Sequence, residues 1–288
     1  MEVLFFNTFN GLIIGVFYAL MALGLSLILG LNGVINFAHG GFLALGAYFA
    51  YTLAPYLGFT GALIVSPILA AIVGVIVERV VIRPVYPRDP LFSLLVTFGL
   101  AMILEDLVRT IWGANGLPFS VPDVLAHPLS QTYFFITGYR LVLVAIALVA
   151  TGALFLVLRY TRLGVRIRAG TSDLETVSAL GVNIFRLRAA NFGLGILLAG
   201  LAGVLAAGRL GLEPTMGTAL IMPSFVAIIV GGVGSLIGSL LGGIIIGVAA
   251  GITTTYWPAA SDVVIYAIMA VVLVVRPRGL FGQEGLLE

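Results

Sequence analysis

Nine apolar runs, most of them about as long as the core of a bilayer is thick, decide what this chain can fold into. They lie near 10–30, 37–57, 60–82, 91–112, 139–158, 189–208, 218–233, 236–256 and 262–275. A helix of about 20 apolar residues crosses the hydrocarbon. The composition leaves no other solvent for them. Of the 288 residues, 61% are hydrophobic and 9% charged, and the mean hydropathy is +1.19. A soluble domain carries about 25% charged residues. In lipid each backbone N–H and C=O must be satisfied within the protein, which selects helices here. The sequence therefore predicts an all-α polytopic integral membrane protein. It has about eight or nine membrane segments, some discontinuous or re-entrant, in a single domain over 1–288. The glycine-rich stretch 217–251 reads either as two short spans or as one span plus a re-entrant segment.

Charge placement orients the spans. All 14 basic residues are Arg. One group, Arg79, Arg83 and Arg88, follows the third run. A second, Arg159, Arg162, Arg166, Arg168, Arg186 and Arg188, separates the fifth run from the sixth, and Arg276 and Arg278 follow the last. Cytoplasmic loops collect Arg, so these regions are expected inside. Parity then puts the N-terminus outside. The segment 113–138, with Pro118, Pro122, Pro128 and Gly113, Gly116 and Gly138, is expected as an irregular outer loop. The first run reads as a retained span, because a cleaved signal opens with positive charge and here Arg79 is the first cation.

Several functions are excluded. A net charge of +2 makes no case for nucleic acid. Without Cys there is no disulfide or thiolate chemistry, and His39 and His127 alone make no metal site. A phosphate-binding loop of the Walker type needs a Lys, which the chain lacks, and neither a G-x-S-x-G elbow nor an H-E-x-x-H pair occurs. No catalytic residue and no bound cofactor are expected. The middles of the spans are nearly free of ionisable groups, which argues against a proton-driven carrier.

Four stretches remain that can carry a function. Asn32-Gly33-Val34-Ile35-Asn36-Phe37-Ala38-His39-Gly40-Gly41 joins two apolar runs without a charged loop. Unwound backbone at membrane depth survives only against protein or a wet cavity, so Asn32, Asn36, His39, Gly40 and Gly41 are candidates for a pathway or gate; a tight interfacial turn is the plainer reading. In Gly231–Gly251, Gly234, Gly238 and Gly242 share one helix face and Gly243, Gly247 and Gly251 another. Close helix packing explains both sets. The sharper alternative is a helix broken at Gly231, Gly232 and Gly234, with the hydroxyls of Ser235 and Ser239 offered to the pathway. In 159–188 a short amphipathic helix is expected, started by Thr171 or Ser172 with Glu175 completing a capping box and Gly181 stopping it. Positive-inside topology accounts for its Arg; docking of a cytoplasmic partner also accounts for its apolar face. Last, Glu105, Asp106 and Arg109 sit in the later part of the fourth run, where Arg109 neutralises its neighbours as an interfacial ion pair.

A family resemblance grows from these blocks. Val34-Ile35-Asn36-Phe37-Ala38-His39-Gly40 with Leu45-Gly46-Ala47-Tyr48, and Arg159-Tyr160-Thr161-Arg162-Leu163-Gly164 with Arg168, Asp173 and Ala179-Leu180-Gly181-Val182-Asn183, resemble bacterial branched-chain amino acid permeases of the ABC class. So do Leu198–Leu205, Gly231-Gly232-Val233-Gly234-Ser235 with Gly242, Gly243 and Gly247, and the ending Arg276-Pro277 with Gly279-Leu280-Phe281-Gly282. The resemblance runs along nearly the whole chain in one order. It implies an ATP-driven importer in the bacterial cytoplasmic (inner) membrane. Its parts would be a second homologous permease subunit or a second copy of this chain, two cytoplasmic ATPases holding ATP and Mg, and an extracytoplasmic solute-binding protein. The segment 171–183 would be the coupling helix, with Arg168, Asp173, Glu175, Leu180 and Gly181 at the ATPase. Many members have an acidic residue where this chain has Gly41. Similar permeases move urea, short amides and other amino acids, so those substrates stay open, as does a stand-alone carrier or channel.

Overall fold

The computed structural model describes residues 1–128 and 136–282; the 129–135 part of the expected outer loop lies outside the described residues. Apart from two isolated backbone bridges, the regular structure among the described residues is helical. The helices are α1 (Glu2–Leu27), α2 (His39–Val77), α3 (Pro90–Trp112), α4 (Asp123–Ala126), α5 (Gly138–Tyr160), α6 (Arg162–Ser172), α7 (Leu174–Ala179), α8 (Ile184–Leu210), α9 (Met216–Gly231), α10 (Leu236–Tyr256) and α11 (Ser261–Val275). Seven runs are long and apolar enough to cross a membrane, and α9 is a shorter apolar helix.

One of the seven, His39–Val85, is two legs. Gly58 stands at φ 68°, ψ 173°, outside the helical region, and reverses the chain inside α2. Ala50 before it and Ala62 after it meet in one buried cluster with Val204 of α8. This reversal separates the runs expected at 37–57 and 60–82. The stretch 217–251 resolves into two helices, α9 and α10, joined by a turn at Gly232–Ser235 in which Gly232 and Gly234 take positive φ.

The chain divides into two compact units. The first comprises Met1–Ser26, Ser120–Ala147 and Ala219–Glu288. In it α10 lies between two neighbours, one on each glycine face. Gly238 and Gly242 meet Gly231 and Ala227 of α9. Gly243, Gly247 and Gly251 meet Ala19, Gly15 and Gly11 of α1, and a Cβ on Gly251 would fall 2.8 Å from the Gly11 Cα. At such separations the backbones themselves are in contact, which gives helices in lipid their attraction. The tail closes over the α9–α10 turn, where the N–H groups of Leu280 and Phe281 donate to the carbonyls of Val230 and Gly231, each at 2.9 Å.

The second unit comprises Leu27–Phe119 and Leu148–Thr218. Here α8 is the axis and both legs of α2 pack on it. Gly200 faces Gly46 of the first leg and Pro67 and Ala70 of the second, and Gly203 abuts the Leu43 carbonyl. Substituting Leu for Gly203 or Gly247 should force these helices apart. Overpacking of this kind costs about 1–3 kcal/mol or more, read as a lower unfolding temperature of the purified protein. Gly99 and Gly152 have open space where a Cβ would go. Ala at either is expected to be neutral, or to stabilise by about 0.5–1 kcal/mol through helix propensity.

Candidate functional site

In the second unit the stretch between α1 and α2 leaves the helical path. Helix α1 runs on into a π-helical turn, Ile28–Asn32, and ends at Gly33 in the left-handed region. Residues 33–36 have no regular structure, and α2 begins at His39. Contacts with α3 give the depth. The Thr97 hydroxyl donates to the Ile35 carbonyl at 2.8 Å, and Gly41 packs on Leu104. Thr97 and Leu104 lie about 10 and 21 Å along α3 from Pro90, at 1.5 Å per residue. The unwound segment therefore enters the body of the unit, and α2 starts near mid-depth. No side chain caps this N-terminus.

Asn36 lies in that segment and is fully buried. Among the described residues neither its Oδ1 nor its Nδ2 has a hydrogen-bond partner. A buried polar group left unsatisfied costs about 1–3 kcal/mol. His39 is buried beside it in sequence, and Gly40 packs against the backbone of Gly217. At Gly41 a Cβ would fall 2.8 Å from the Leu104 Cβ, so an acidic side chain at this position has no room unless Leu104 moves.

Asn32 belongs to a different arrangement, one that the sequence did not disclose. Its Nδ2 donates to the Tyr86 hydroxyl at 2.6 Å and to the Arg188 carbonyl at 3.2 Å. Its Oδ1 accepts from Asn191 Nδ2 at 2.9 Å, and that nitrogen also donates to the Leu27 carbonyl at 2.7 Å. The Tyr86 hydroxyl donates to Glu78, a carboxylate with no solvent exposure that also pairs with Arg83 at 3.2 Å. The Arg188 guanidinium lies 4.3 Å from the Tyr86 ring centre. Burial, then the Glu78 charge, pushes the Tyr86 hydroxyl well above the usual phenol range, so it stays a donor. Glu78 opens a second π-helical turn, Glu78–Ile82, so both key polar groups sit on wide turns. The signal for this network was an acid closing the third apolar run and Arg188 and Asn191 three apart on the sixth. The network also brings the Arg79–Arg88 and 159–188 stretches to one end of the unit, with Arg83 5.3 Å from the Phe185 ring and Gly30 against Thr171.

The 159–188 stretch contains two helices, α6 and α7, where one was expected. Thr171 and Ser172 close α6, their hydroxyls donating back to Ile167 and Arg168 carbonyls. The cap of α7 is Asp173, which accepts from the Thr176 N–H at 3.0 Å and from the Thr176 hydroxyl. Those bonds, the hydroxyl first, hold the Asp173 carboxyl below its ordinary value. Its capping is thus present at neutral pH and fades only as pH falls through that lowered value. Helix α7 buries Val177 and leaves Leu180 78% exposed, with Arg168, Glu175 and Gly181 also exposed. Asn183 then caps α8, accepting from the Arg186 N–H at 3.0 Å.

The remaining candidates sit in the first unit. Gly231 and Gly232 are buried under the C-terminal tail. Gly234 forms the turn. The Ser235 oxygen caps α10 by accepting from Gly238 N–H, and the Ser239 hydroxyl donates to the Ser235 carbonyl at 2.9 Å. Both hydroxyls are thus engaged locally. No group of three or more potential metal ligands occurs among the described residues.

The family described as "Branched-chain amino acid transport system / permease component" matches residues 7–273. The chain belongs to it. Its relatives include the high-affinity branched-chain amino acid transport system permease protein LivH of Escherichia coli, 33% identical over 96% of this chain and 94% of that one. BraD of Pseudomonas aeruginosa, with the same description, is 30% identical over 95% and 94%. LivM of Escherichia coli is 30% identical over 76% of this chain and 57% of its own length. Among solved structures, PsaBC from Streptococcus pneumoniae in complex with Fab aligns with a TM-score of 0.44 and 15% identity over 92% of this chain and 89% of that one, a likeness too distant to use. With its apolar helices, membership makes the chain a multi-pass membrane permease component of this family, and the family is one of transport, not of enzymes.

Within such a permease the Tyr86 hydroxyl is the piece whose removal tests the network. Tyr86→Phe keeps the ring under Arg188 but takes one hydrogen-bond partner from Asn32 and one from Glu78. It should cost about 1–3 kcal/mol, seen as a lower melting temperature in detergent, whereas Tyr160→Phe at a 72% exposed ring should not.

Proposed function

We propose that this chain is the permease subunit of an ATP-driven importer that moves branched-chain amino acids into the cytoplasm across the bacterial inner membrane. It would act with a second homologous permease or a second copy of itself. Two cytoplasmic ATPases, which hold ATP and Mg, and an extracytoplasmic solute-binding protein would complete the importer. The observation that carries the reading is Asn36: a fully buried amide with no partner, on unwound backbone that opens an uncapped helix inside the unit. Such a site supports a polar contact for a passing solute, and the positive end of the helix favours a carboxylate. Its neighbours are mostly apolar, which suits a branched side chain. Apolar surroundings separate substrates differing by one methylene by only about 1–3 kcal/mol, so the binding protein would carry most selectivity.

The coupling surface is α7 with Arg168, Asp173, Glu175, Leu180 and Gly181. What supports this is an exposed apolar residue at the end of a capped helix otherwise surrounded by Arg. A push on α7 would reach α8 through Asn183, then Asn32 through the Arg188 carbonyl and Asn191, and then the segment that holds Asn36 and His39. Gly40 and Gly41, packed on Gly217 and Leu104, would be where that movement reaches α2. The stretch Gly231, Gly232, Gly234 and Ser235 would serve as the pivot of α9 and α10.

The test is uptake of labelled leucine into vesicles holding the whole complex, with and without ATP at the ATPase side. ATP-dependent accumulation is expected; accumulation without ATP would replace this reading with a stand-alone carrier. Leu180→Asp should release the ATPases on purification and abolish uptake. Asp173→Arg is the poorer probe, because it also removes the cap of α7. Asn36→Leu, which removes the stranded amide at similar size, should leave the melting temperature equal or higher while lowering uptake tenfold or more.

A further inference from the structure

At the end of the second unit opposite its Arg-rich end, α3 and α8 finish and their following loops run side by side. The Leu117 N–H donates to the Leu212 carbonyl and the Leu212 N–H to the Leu117 carbonyl, both at 2.9 Å. This reciprocal bridge fixes the spacing of two walls, one from Arg109, Ala114, Asn115 and Gly116 and the other from Glu213, Pro214 and Thr215. They line an open pocket of about 310 Å³. That volume stands at the small end of metabolite sites, the scale of a single amino acid rather than a nucleotide.

The charges on the two walls are opposite, and they do not meet. Arg109 Nη2 pairs with Glu105 at 2.6 Å, and the second oxygen of Glu105 accepts from the Thr218 hydroxyl at 2.8 Å. Glu105 is thereby held, and it holds the guanidinium in turn, which keeps further N–H donors for the pocket. Across from it Glu213 has no ion-pair partner among the described residues. A fixed cation and an unpaired carboxylate line one cavity of metabolite size without touching each other. A ligand with separated charges of its own can bridge them. A neutral amide or urea offers neither charge, and a simple ion satisfies only one wall.

We propose that this pocket is an outer reception site for the zwitterionic head of a free amino acid. Its α-carboxylate meets Arg109 and Asn115, and its α-ammonium meets Glu213. The inference rests on the importer reading for its direction.

The full chain in lipid nanodiscs, without the solute-binding protein, tests it. With Trp257→Phe, Trp112, three residues past Arg109, is the one remaining Trp. Leucine titrated against its emission should saturate. Glu213→Gln, at an exposed loop position, should weaken half-saturation about tenfold, and Asn115→Ala should weaken it less. Leucinamide, which lacks the carboxylate, and 4-methylpentanoate, which lacks the ammonium, should each bind about tenfold or more weakly than leucine. No saturable change with leucine overturns the proposal. So does Glu213→Gln binding as the parent does, or leucinamide matching leucine. Uptake by the complete complex decides the importer reading separately. ATP-driven uptake together with a silent Trp112 would sink this site alone, and saturable binding without ATP-driven uptake would sink the importer alone.

Discussion

Helices in an apolar solvent gain nothing from hiding apolar side chains from one another, so they associate only as far as close contact rewards them. In this protein that contact is backbone on backbone, through glycine. Helix α10 meets α9 and α1 on two separate glycine faces, and α8 meets both legs of α2 through Gly200 and Gly203. These approaches leave no space for a Cβ. They fix helix positions to within a fraction of a side chain, and everything polar in the interior is placed by them.

With that frame set, the polar groups fall into two states. Glu78, Tyr86, Asn32, Asn191 and Arg83 are joined in one chain of hydrogen bonds, with Asn191 Oδ1 and Arg83 Nε left without a partner among the described residues, and Arg188 covers the tyrosine ring. Removing one member strands the rest in a low dielectric, which makes the network stiff. Asn36 is four residues beyond Asn32 and has no partner among the described residues. A chain that satisfies one buried amide several times over and leaves its neighbour open has spent stability at one point, and such places are where function concentrates. The network joins the start of α8, which follows α7 directly in the chain, to the backbone that carries Asn36.

The broad plan was legible because lipid imposes a simple code. Apolar length gives spans, and glycine spacing gives packing faces. Gly243, Gly247 and Gly251 read correctly as one face and Gly238 and Gly242 as another, but Gly234, grouped with the latter by spacing, takes positive φ in the turn before α10 and lies on no helix face. The cap of α7 was misread by one residue: Thr171 and Ser172 have hydroxyls able to cap, but α6 uses both to bond back along itself, which leaves Asp173 to start the next helix. The Ser235 oxygen caps α10, a local bond that spacing alone does not disclose.

What the sequence determined by itself was the solvent, the helical class and the family, because each follows from which residues are present and in what order. Tertiary structure alone decided which polar residues find partners. Asn32 and Asn36 are the same residue type four positions apart, one closing the π-helical turn after α1 and the other in the unwound approach to α2. One is bound by Tyr86, Arg188 and Asn191, which arrive from distant parts of the chain, and the other is left open. Satisfaction of a buried hydrogen bond depends on directions and distances of about 3 Å between residues far apart in sequence, and only the packed chain supplies those.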